Sequence, residues 1–253
     1  MSEVKLVLTD IDGTLVWHGQ HNPSVAVRKA IDDVQSAGIE LTAATGRPYE
    51  MMQPLFEQIG FRGLGIFDAG ASIRNVHTGE LAWSNWLDPE RVRTLAELLL
   101  PHATIIDFFP TYQEIPPEEA DLGDVESAPY VFAFVKDRHR GTIVEALEHM
   151  LDVTYHIGVG NPERPGEFDI QITDVNSDKF HAVNALRKLV HSDKDQTLAI
   201  GDSTNDRPLF MNAGIKVAMG NAMGELKTEA DHIVGDVDHD GFAEAMQRFV
   251  LSR

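Results

Sequence analysis

The chain has 253 residues, of which 43% are hydrophobic and 24% are charged, as in an ordinary globular protein of one or two domains. Its 40 acidic and 21 basic residues give a formal net charge of -19, which disfavours nucleic acid and anionic membrane surfaces as partners. The chain contains no cysteine, which excludes disulfides, thiolate metal sites and a cysteine nucleophile. A phosphorylated substrate would need a bound cation or a locally basic pocket, because the overall field repels it.

The sequence contains no apolar run of about 18 residues, so no helix is predicted to cross a membrane. The first ten residues, MSEVKLVLTD, are not typical of a signal peptide. We therefore expect a soluble, cytoplasmic protein, either a monomer or a small homo-oligomer.

The first 70 residues alternate short apolar runs with amphipathic stretches. We predict strands at 4–8, 39–43 and 64–67, a helix at 23–37 and another that begins near Pro48. This alternation is typical of a parallel sheet covered by helices.

The middle third has a different order of predicted strands and helices. A hairpin over 71–83 is followed by strands, two helices and a long polar loop, which indicates a separate α+β module. The predicted strands are 104–109, 130–135, 153–157 and 167–173, the helices are 88–100 and 141–150, and the loop is 110–129.

From Asp178 the alternation of apolar strands and amphipathic helices resumes. The predicted elements are a helix to about His191, strands at 197–200 and 215–218, a helix across 209–212, a short helix and strand, and a last helix from Phe242.

The predicted fold class is therefore α/β, with a Rossmann-like parallel-sheet core that has helices on both faces. We expect residues 1–82 and 177–253 to form this core and residues 83–176 to form an inserted α+β domain.

Asp10, Asp12 and Gly13 directly follow the first predicted strand. Ligand sites of parallel α/β sheets lie at the carboxyl ends of strands, and residues two apart in an extended segment point the same way. Two carboxylates in one cavity repel each other unless a cation lies between them. The pair indicates either a metal site or two catalytic carboxyl groups, one acting as an acid and the other as a base. A solvated turn is the alternative. A calcium loop does not fit, because its sixth and twelfth positions would be Leu15 and His21.

A second acidic segment, 201–206, follows another predicted strand. Asp202 and Asp206 can join the first pair around one hard cation, with Asn205 as a neutral oxygen donor. Oxygen ligands of this kind suit Mg²⁺. Capping of the next helix is the alternative role of the segment, and we expect capping and metal binding together.

Thr45, Gly46 and Arg47 lie between the second strand and the second helix. A hydroxyl, a glycine that permits close backbone approach and a helix N-terminus are typical of phosphate sites, although an ordinary turn explains them too. Lys179 follows Asp178 in the first turn of a helix, where a cation opposes the helix dipole. This misfit indicates another task, such as anchoring phosphate, with a solvated surface lysine as the alternative.

Together the four segments resemble the haloacid dehalogenase-like phosphohydrolase superfamily, specifically its Cof-type branch with an inserted α/β (type IIB) cap. The matching pieces stand in the family's order: Asp10-Ile-Asp12-Gly-Thr, Thr45-Gly-Arg47, Lys179 and Gly-Asp202-Ser-Thr-Asn205-Asp206. The resemblance covers nearly the whole chain, because the insert occupies the position of the cap.

The resemblance implies a phosphomonoester hydrolase in which Asp10 is the nucleophile, forming an aspartyl-phosphate, and Asp12 is the general acid and base. It implies a Mg²⁺ ion held by Asp10, the backbone carbonyl of Asp12 and Asp202. Asn205 and Asp206 would support that ion from the second layer of residues.

The resemblance also implies that Thr45, Gly46 and Lys179 bind the phosphoryl group, with Arg47 as a candidate substrate contact. The implied substrate is a small phosphorylated metabolite, and a sugar phosphate is favoured. Three alternatives stay open: a phosphosugar mutase, a nucleotide or cofactor phosphatase, and a non-catalytic metabolite-binding module. The chain departs from the branch at Ala69, where Asn is expected, and at Phe180, where Gly is common.

Overall fold

The computed structural model describes residues 3–17, 20, 22–158 and 163–252. The chain divides into two compact units, which we call the core unit (1–83 and 179–253) and the inserted unit (84–178). Each unit has a hydrophobic core of its own.

Twelve strands lie within the described ranges. In chain order they are β1 Leu6–Thr9, β2 Glu40–Ala43, β3 Leu64–Phe67, β4 Ser72–Asn75, β5 Leu81–Ser84, β6 Ala103–Asp107, β7 Val131–Lys136, β8 Val153–Ile157, β9 Glu167–Asp174, β10 Thr197–Gly201, β11 Ile215–Ala218 and β12 His232–Ile233.

Eight α-helices lie within the same ranges, together with short 3₁₀ turns and one π-helical turn. They are α1 Val25–Ser36, α2 Tyr49–Ile59, α3 Pro89–Leu99, α4 Arg140–Glu148, α5 Lys179–Leu189, α6 Arg207–Met211, α7 Gly224–Glu229 and α8 Gly241–Met246. Among the described residues, no helix combines the length and the apolar composition needed to span a bilayer.

The centre of the core unit is a five-stranded parallel sheet in the order β12-β11-β10-β1-β2. Strand β1 is fully buried, as expected for a central strand with helices packed around it. The predicted α/β class with a parallel-sheet core is confirmed. In the register of the sheet, Thr9 lies opposite Ile200 on one side and Ala43 on the other, so three strands end at the same level.

Strand β3 joins the fold differently from the prediction. It pairs antiparallel with β4 in a separate sheet of order β3-β4-β5, and a parallel bridge between Ala44 and Ile66 connects it to the chain after β2. The strand–helix–strand pattern predicted a third parallel strand, and the bridge to Ala44 is parallel, but the antiparallel ladder between β3 and β4 was not predicted. The reason for this ladder is the hairpin of β4 and β5, which follows β3 directly and offers it an antiparallel partner close in sequence.

The inserted unit is built on an antiparallel sheet of order β6-β7-β9-β8 with helices α3 and α4. Asp88 caps α3 by accepting a hydrogen bond from the Arg91 amide, and Pro89 occupies the first turn, as the sequence predicts. The predicted loop at 110–129 contains one 3₁₀ turn, Pro117–Glu119. It also pairs with β6 through a bridge between Ile115 and Ile106.

Asp107, at the end of β6, is a fully buried carboxyl group in the inserted unit. It accepts hydrogen bonds from the amides of Phe109 (3.2 Å) and Gln113 (3.1 Å) and from the hydroxyl of Tyr130 (3.1 Å). Burial raises the pKa of Asp107 from 3.8 to about 6, although these hydrogen bonds oppose the rise. The side chain therefore anchors the start of the long loop while being costly to ionise.

We expect Asp107→Asn to flatten part of the dependence of stability on pH. The folded state holds the proton of Asp107 more tightly than the unfolded chain, so the free energy of unfolding falls as the pH rises from about 4 through about 6. The gap is about two pKa units at ~1.4 kcal/mol each, so the effect is at most about 3 kcal/mol. Urea unfolding of wild type and variant from pH 4 to 7.5 measures it, with the exposed Asp137→Asn as control. Parallel curves for wild type and Asp107→Asn would refute this expectation.

Candidate active site

The carboxyl ends of three neighbouring parallel strands bring the sequence motifs together. Asp10 follows β1, Thr45 lies just beyond β2 and Asp202 follows β10. The amide of Asp10 donates to the carbonyl of Ile200 at 3.2 Å, which ties the first motif to the strand that carries the second acidic segment. Residues far apart in the chain thus meet at one edge of the sheet, where α/β folds bind their ligands.

Lys179 is the buried cation of this edge. Its Nζ lies 2.9 Å from Asp10 Oδ1 and 3.0 Å from Asp206 Oδ1, and the three side chains are 8%, 10% and 0% exposed. Lys179 is also the first residue of α5, so its charge opposes the dipole of that helix. Two buried carboxylates outweigh that cost, and the predicted alternative of a solvated lysine is wrong.

The electrostatics of the cluster follow from burial and crowding. Burial raises the pKa of Asp10, and the nearby carboxylates of Asp206 and Asp202 add to the rise against the opposing ammonium of Lys179. Burial, with the carboxylate of Asp206, raises the pKa of Asp202 from 3.8 to about 6. Burial alone would lower the pKa of Lys179, but Asp10 and Asp206 outweigh it and raise that pKa above its ordinary value. The cluster therefore carries more negative charge than one ammonium can balance.

Asp206 has both carboxylate oxygens engaged by protein groups. Oδ1 accepts from Lys179, while Oδ2 accepts from the amides of Asp202 and Ser203, both at 3.1 Å. A Cβ on Gly201 would lie 2.5 Å from Oδ2, so only glycine leaves room for this arrangement. Asp206 thus orients both the second acidic segment and Lys179. It caps the backbone amides with one oxygen and pairs with the ammonium group through the other.

The donor set at this edge fits a hard divalent cation. One carboxylate oxygen from each of Asp10, Asp202 and Asp206 lies within 4.8 Å of those of the other two. Oxygen donors of this type match the preference of Mg²⁺. Since Asp206 is already engaged, Asp10 and Asp202 are the side chains best able to contact an ion directly.

Asn221 is a site residue that the sequence reasoning missed. Its Nδ2 lies 2.8 Å from the carbonyl oxygen of Gly13 and 3.4 Å from Asp202 Oδ2, and its Oδ1 accepts from the amide of Val237 at 3.2 Å. It thereby links the turn after β1 to the second acidic segment. Asn221 stands in a short segment after β11 with no acidic neighbour, so a search for carboxylate and phosphate-binding patterns does not select it as a site residue.

A pocket of about 420 Å³ opens at this edge of the core unit. Its lining residues are Asp10, Asp12, Gly13, Trp17, Thr45, Gly46, Arg47, Asp202, Ser203 and Asn205. The volume is within the range of small-molecule sites. Eight of the ten belong to the segments that the sequence predicts for the site, Gly13 among them. Trp17 and Ser203 were not predicted as site residues.

The structure places the remaining predicted residues around this pocket. Arg47 forms an ion pair with Asp12 (2.8 Å), and its amide donates to the hydroxyl of the buried Thr45 (3.1 Å). Asn205 lies at the exposed side, where its Oδ1 accepts from the hydroxyl of Ser203 at 2.7 Å. A Cβ on Gly46 would meet no atom within 4 Å, so crowding by the protein itself does not require glycine there.

The two departures from the family pattern lie outside the described pocket lining. Ala69 has a φ of 56°, in the left-handed region that Asn and Gly tolerate better than Ala, which explains why Asn is expected there. Phe180 follows Lys179 in α5, and its carbonyl accepts from the side chain of Asn184 at 3.0 Å. The hydrogen bonds of Lys179 with Asp10 and Asp206 do not involve the side chain of either residue.

The family model of the haloacid dehalogenase-like hydrolases matches residues 7–113 and 112–246. One relative, the 5-amino-6-(5-phospho-D-ribitylamino)uracil phosphatase YcsE of Bacillus subtilis, is 26% identical over 98% of this chain and 97% of its own. Another, a phosphoglycolate phosphatase of Methanothermobacter thermautotrophicus, is 24% identical over 98% of this chain and 99% of its own. The solved structure of a haloacid dehalogenase-like hydrolase from Bacteroides thetaiotaomicron superposes with a TM-score of 0.79 at 24% identity, over 97% of this chain and 99% of that one.

The chain therefore belongs to the haloacid dehalogenase-like hydrolase family, as the sequence motifs predict. The predicted enzyme class, a hydrolase, is confirmed, and relatives named as phosphatases agree with the phosphomonoesterase interpretation.

We expect Gly13→Ala to weaken binding of a divalent cation. Gly13 has a φ of +85°, and a Cβ there would lie 2.2 Å from Asp202 Oδ2, so the carboxylate would have to move. Titration calorimetry with Mg²⁺ should give an affinity at least about tenfold lower than wild type. Gly224→Ala is the matched control, because a Cβ on Gly224 would meet no atom within 4 Å. Equal Mg²⁺ affinity in wild type and Gly13→Ala would contradict the assignment of Asp202 as a ligand.

Proposed function

We propose that this protein is a Mg²⁺-dependent phosphomonoesterase that acts through an aspartyl-phosphate on Asp10. The observation that carries the proposal is the contact of Lys179 with Asp10 and Asp206 at the end of β1 and β10. It joins a candidate nucleophile, a buried cation and a carboxylate group suited to a metal ion. These are the parts that phosphoryl transfer requires, because positioning and charge neutralisation supply most of its acceleration.

The charge balance of the site supports a divalent cation. When all four are ionised, the carboxyl groups of Asp10, Asp12, Asp202 and Asp206 outnumber the two cations at the site, Lys179 and Arg47, by two, and they outnumber them by one when Asp12 is protonated for the first step. In our proposal Asp10, Asp202 and the backbone carbonyl of Asp12 hold Mg²⁺, which supplies Lewis-acid stabilisation of the phosphoryl oxygens when it is bound. This balance also answers how a chain with a net charge of -19 accepts an anionic ester.

In the first step a carboxylate oxygen of Asp10 attacks phosphorus, and the bond from phosphorus to the ester oxygen breaks. Protonated Asp12 gives its proton to the leaving oxygen, which departs as an alcohol. The ammonium of Lys179 and the hydroxyl of Thr45 hold phosphoryl oxygens during this transfer. The product of the step is an acyl phosphate on Asp10.

In the second step water attacks the phosphorus of the acyl phosphate. Asp12, now a carboxylate, accepts a proton from that water, and the bond from phosphorus to Asp10 breaks. Inorganic phosphate leaves and both carboxyl groups return to their starting forms. The ion pair with Arg47 fixes one oxygen of Asp12 at 2.8 Å, which supports a role of Arg47 in positioning this acid and base.

The proposed substrate is a small phosphorylated metabolite, and a sugar phosphate is the class we favour. We propose that the inserted unit contributes to the choice of leaving group, as the resemblance to capped members of the family implies. The relatives include phosphatases named for a ribityl phosphate and for phosphoglycolate, so the family accepts leaving groups of different sizes.

We expect Asp10→Asn to abolish turnover of p-nitrophenyl phosphate, with kcat reduced by at least about 10³-fold, because the amide is a poor nucleophile. Malachite-green detection of phosphate with and without Mg²⁺ measures this loss. Asp33→Asn, a surface carboxylate paired with Lys29, is the control and should retain activity. Substantial turnover by Asp10→Asn would overturn the proposed mechanism.

The same preparation separates hydrolysis from the mutase alternative. A panel of sugar phosphates, nucleotides and cofactor phosphates is assayed for free phosphate and, by NMR, for isomerised sugar phosphate. We expect free phosphate in proportion to substrate consumed. Isomerised sugar phosphate without phosphate release would instead favour the mutase.

A further expectation concerns the leaving group. If Asp12 donates the proton, Asp12→Ala should reduce kcat/KM, which reports only the first step, at least about tenfold more for alkyl phosphates than for p-nitrophenyl phosphate, whose anion leaves without protonation. Arg47→Ala should show the same pattern more weakly, because it disturbs only the position of Asp12. Arg47→Lys should restore part of the alkyl activity. Equal losses on both kinds of ester would exclude Asp12 as the proton donor.

A further inference from the structure

The pocket has one lining residue that the phosphoryl chemistry does not use. Trp17 is half-buried and is the single large aromatic side chain among the described lining residues, which are otherwise acidic, small or polar apart from Arg47. It has no role in holding a metal ion, transferring a proton or binding a phosphoryl oxygen. Its carbon surface is therefore available for the part of the substrate that leaves.

The pocket has room for such a part. The pocket measures about 420 Å³, within the range of sites that hold whole small-molecule ligands, so it has space for a leaving group beside the phosphoryl group. Trp17 contributes to the wall of this space within the core unit.

The indole of Trp17 is fixed at its polar edge. Its Nε1 donates to Asp238 Oδ1 at 2.8 Å, in the 3₁₀ turn Val237–His239. That turn is itself anchored, because the Val237 amide donates to Asn221, which contacts the carbonyl oxygen of Gly13. The ring is thus tied to the same frame that holds the acidic segments.

This anchoring decides what Trp17 can recognise. With its one N–H donor engaged by Asp238, the indole offers a ligand only its ring surface. Such a surface favours the carbon face of a sugar ring or a flat heteroaromatic ring, and its negative quadrupole disfavours a carboxylate. A short linear acid such as the glycolate of phosphoglycolate would gain little from it.

We propose that Trp17 is a specificity-determining residue that selects phosphate monoesters whose leaving group contains a ring over those with a short linear leaving group. The inference rests on the proposed phosphomonoesterase function and deepens it. The two sources of a ring, a sugar and a heteroaromatic base, share the chemistry of a flat carbon face and are separated by experiment.

The test is a selectivity ratio. The ratio of kcat/KM for a ring-bearing ester (glucose 6-phosphate in one arm, a nucleoside monophosphate in the other) to that for phosphoglycolate is measured in wild type and variants. Wild type should prefer at least one ring-bearing ester, and Trp17→Ala should lower that ratio about tenfold through KM. Trp17→Phe, which keeps an aromatic face, should retain most of the preference. The ester whose ratio falls in Trp17→Ala shows whether Trp17 recognises a sugar ring or a heteroaromatic base.

Two further variants keep the test decisive if Trp17→Ala folds poorly. Asp238→Ala releases the indole and should lower the ratio in the same direction, whereas Asp238→Asn, which keeps an acceptor, should restore it. Trp83→Phe is the matched control, because Trp83 packs against the hydrophobic core and is not among the described lining residues. A ratio unchanged in Asp238→Ala, or in Trp17→Ala where that variant folds, or a wild-type preference for phosphoglycolate, would overturn the inference.

A binding measurement separates this inference from the proposed function. The chain has 3 tryptophans, so replacing Trp83 and Trp86 by Phe leaves Trp17 as the sole reporter. In the Asp10→Asn background, ring-bearing esters should alter its fluorescence and phosphoglycolate should not. If wild type hydrolyses p-nitrophenyl phosphate and Asp10→Asn does not, yet neither the fluorescence nor the ratio distinguishes the esters, the inference fails and the proposed function stands. If no ester is hydrolysed, the proposed function fails.

Discussion

A single buried ammonium group organises the site of this protein. Lys179 contacts Asp10 and Asp206 within an edge of the sheet where all three side chains are almost inaccessible to solvent. Removing one partner from such a buried pair typically costs about 3–5 kcal/mol, because the remaining charge stays buried without compensation. The lysine therefore constrains where α5 begins and how the strand ends meet. Since its one charge does not balance the surrounding carboxylates, the same arrangement creates a demand for a second, divalent cation.

The fold brings the charged groups together in two ways: neighbouring strands end side by side, and two glycines leave room for the carboxylates. Parallel strands β10, β1 and β2 end side by side, so short segments after each of them supply the groups of one site. Gly13 and Gly201 stand where any side chain would press on Asp202 or Asp206, which lets carboxylates approach one another closely. The groups are thus held in place by backbone geometry and need little rearrangement when charge develops on a phosphoryl group.

Much of this could be predicted from sequence, for a physical reason. Acidic, glycine and hydroxyl residues directly after buried strands indicate which segments meet, because a parallel sheet aligns its strand ends. Contacts that depend on distant packing were missed: Asn221 and Trp17 hold their positions through Gly13 and Asp238, respectively, and nothing adjacent in sequence signals these partners. The antiparallel pairing of β3 with β4 was not predicted, because apolar alternation fixes neither strand direction nor partner. The strain at Ala69 likewise appears only in the backbone angles.

The central claim is that one divalent ion and Lys179 act on one phosphoryl group that becomes bonded to Asp10. The most direct measurement is a crystal structure of the protein with Mn²⁺ in place of Mg²⁺ and beryllofluoride as the phosphoryl mimic, with the metal located by its anomalous signal. The account predicts the mimic on an oxygen of Asp10, the metal contacting Asp10 and Asp202, and the ammonium of Lys179 within hydrogen-bond distance of a fluorine atom. A metal bound elsewhere, or a mimic that leaves Asp10 unmodified at saturating concentration, would contradict it.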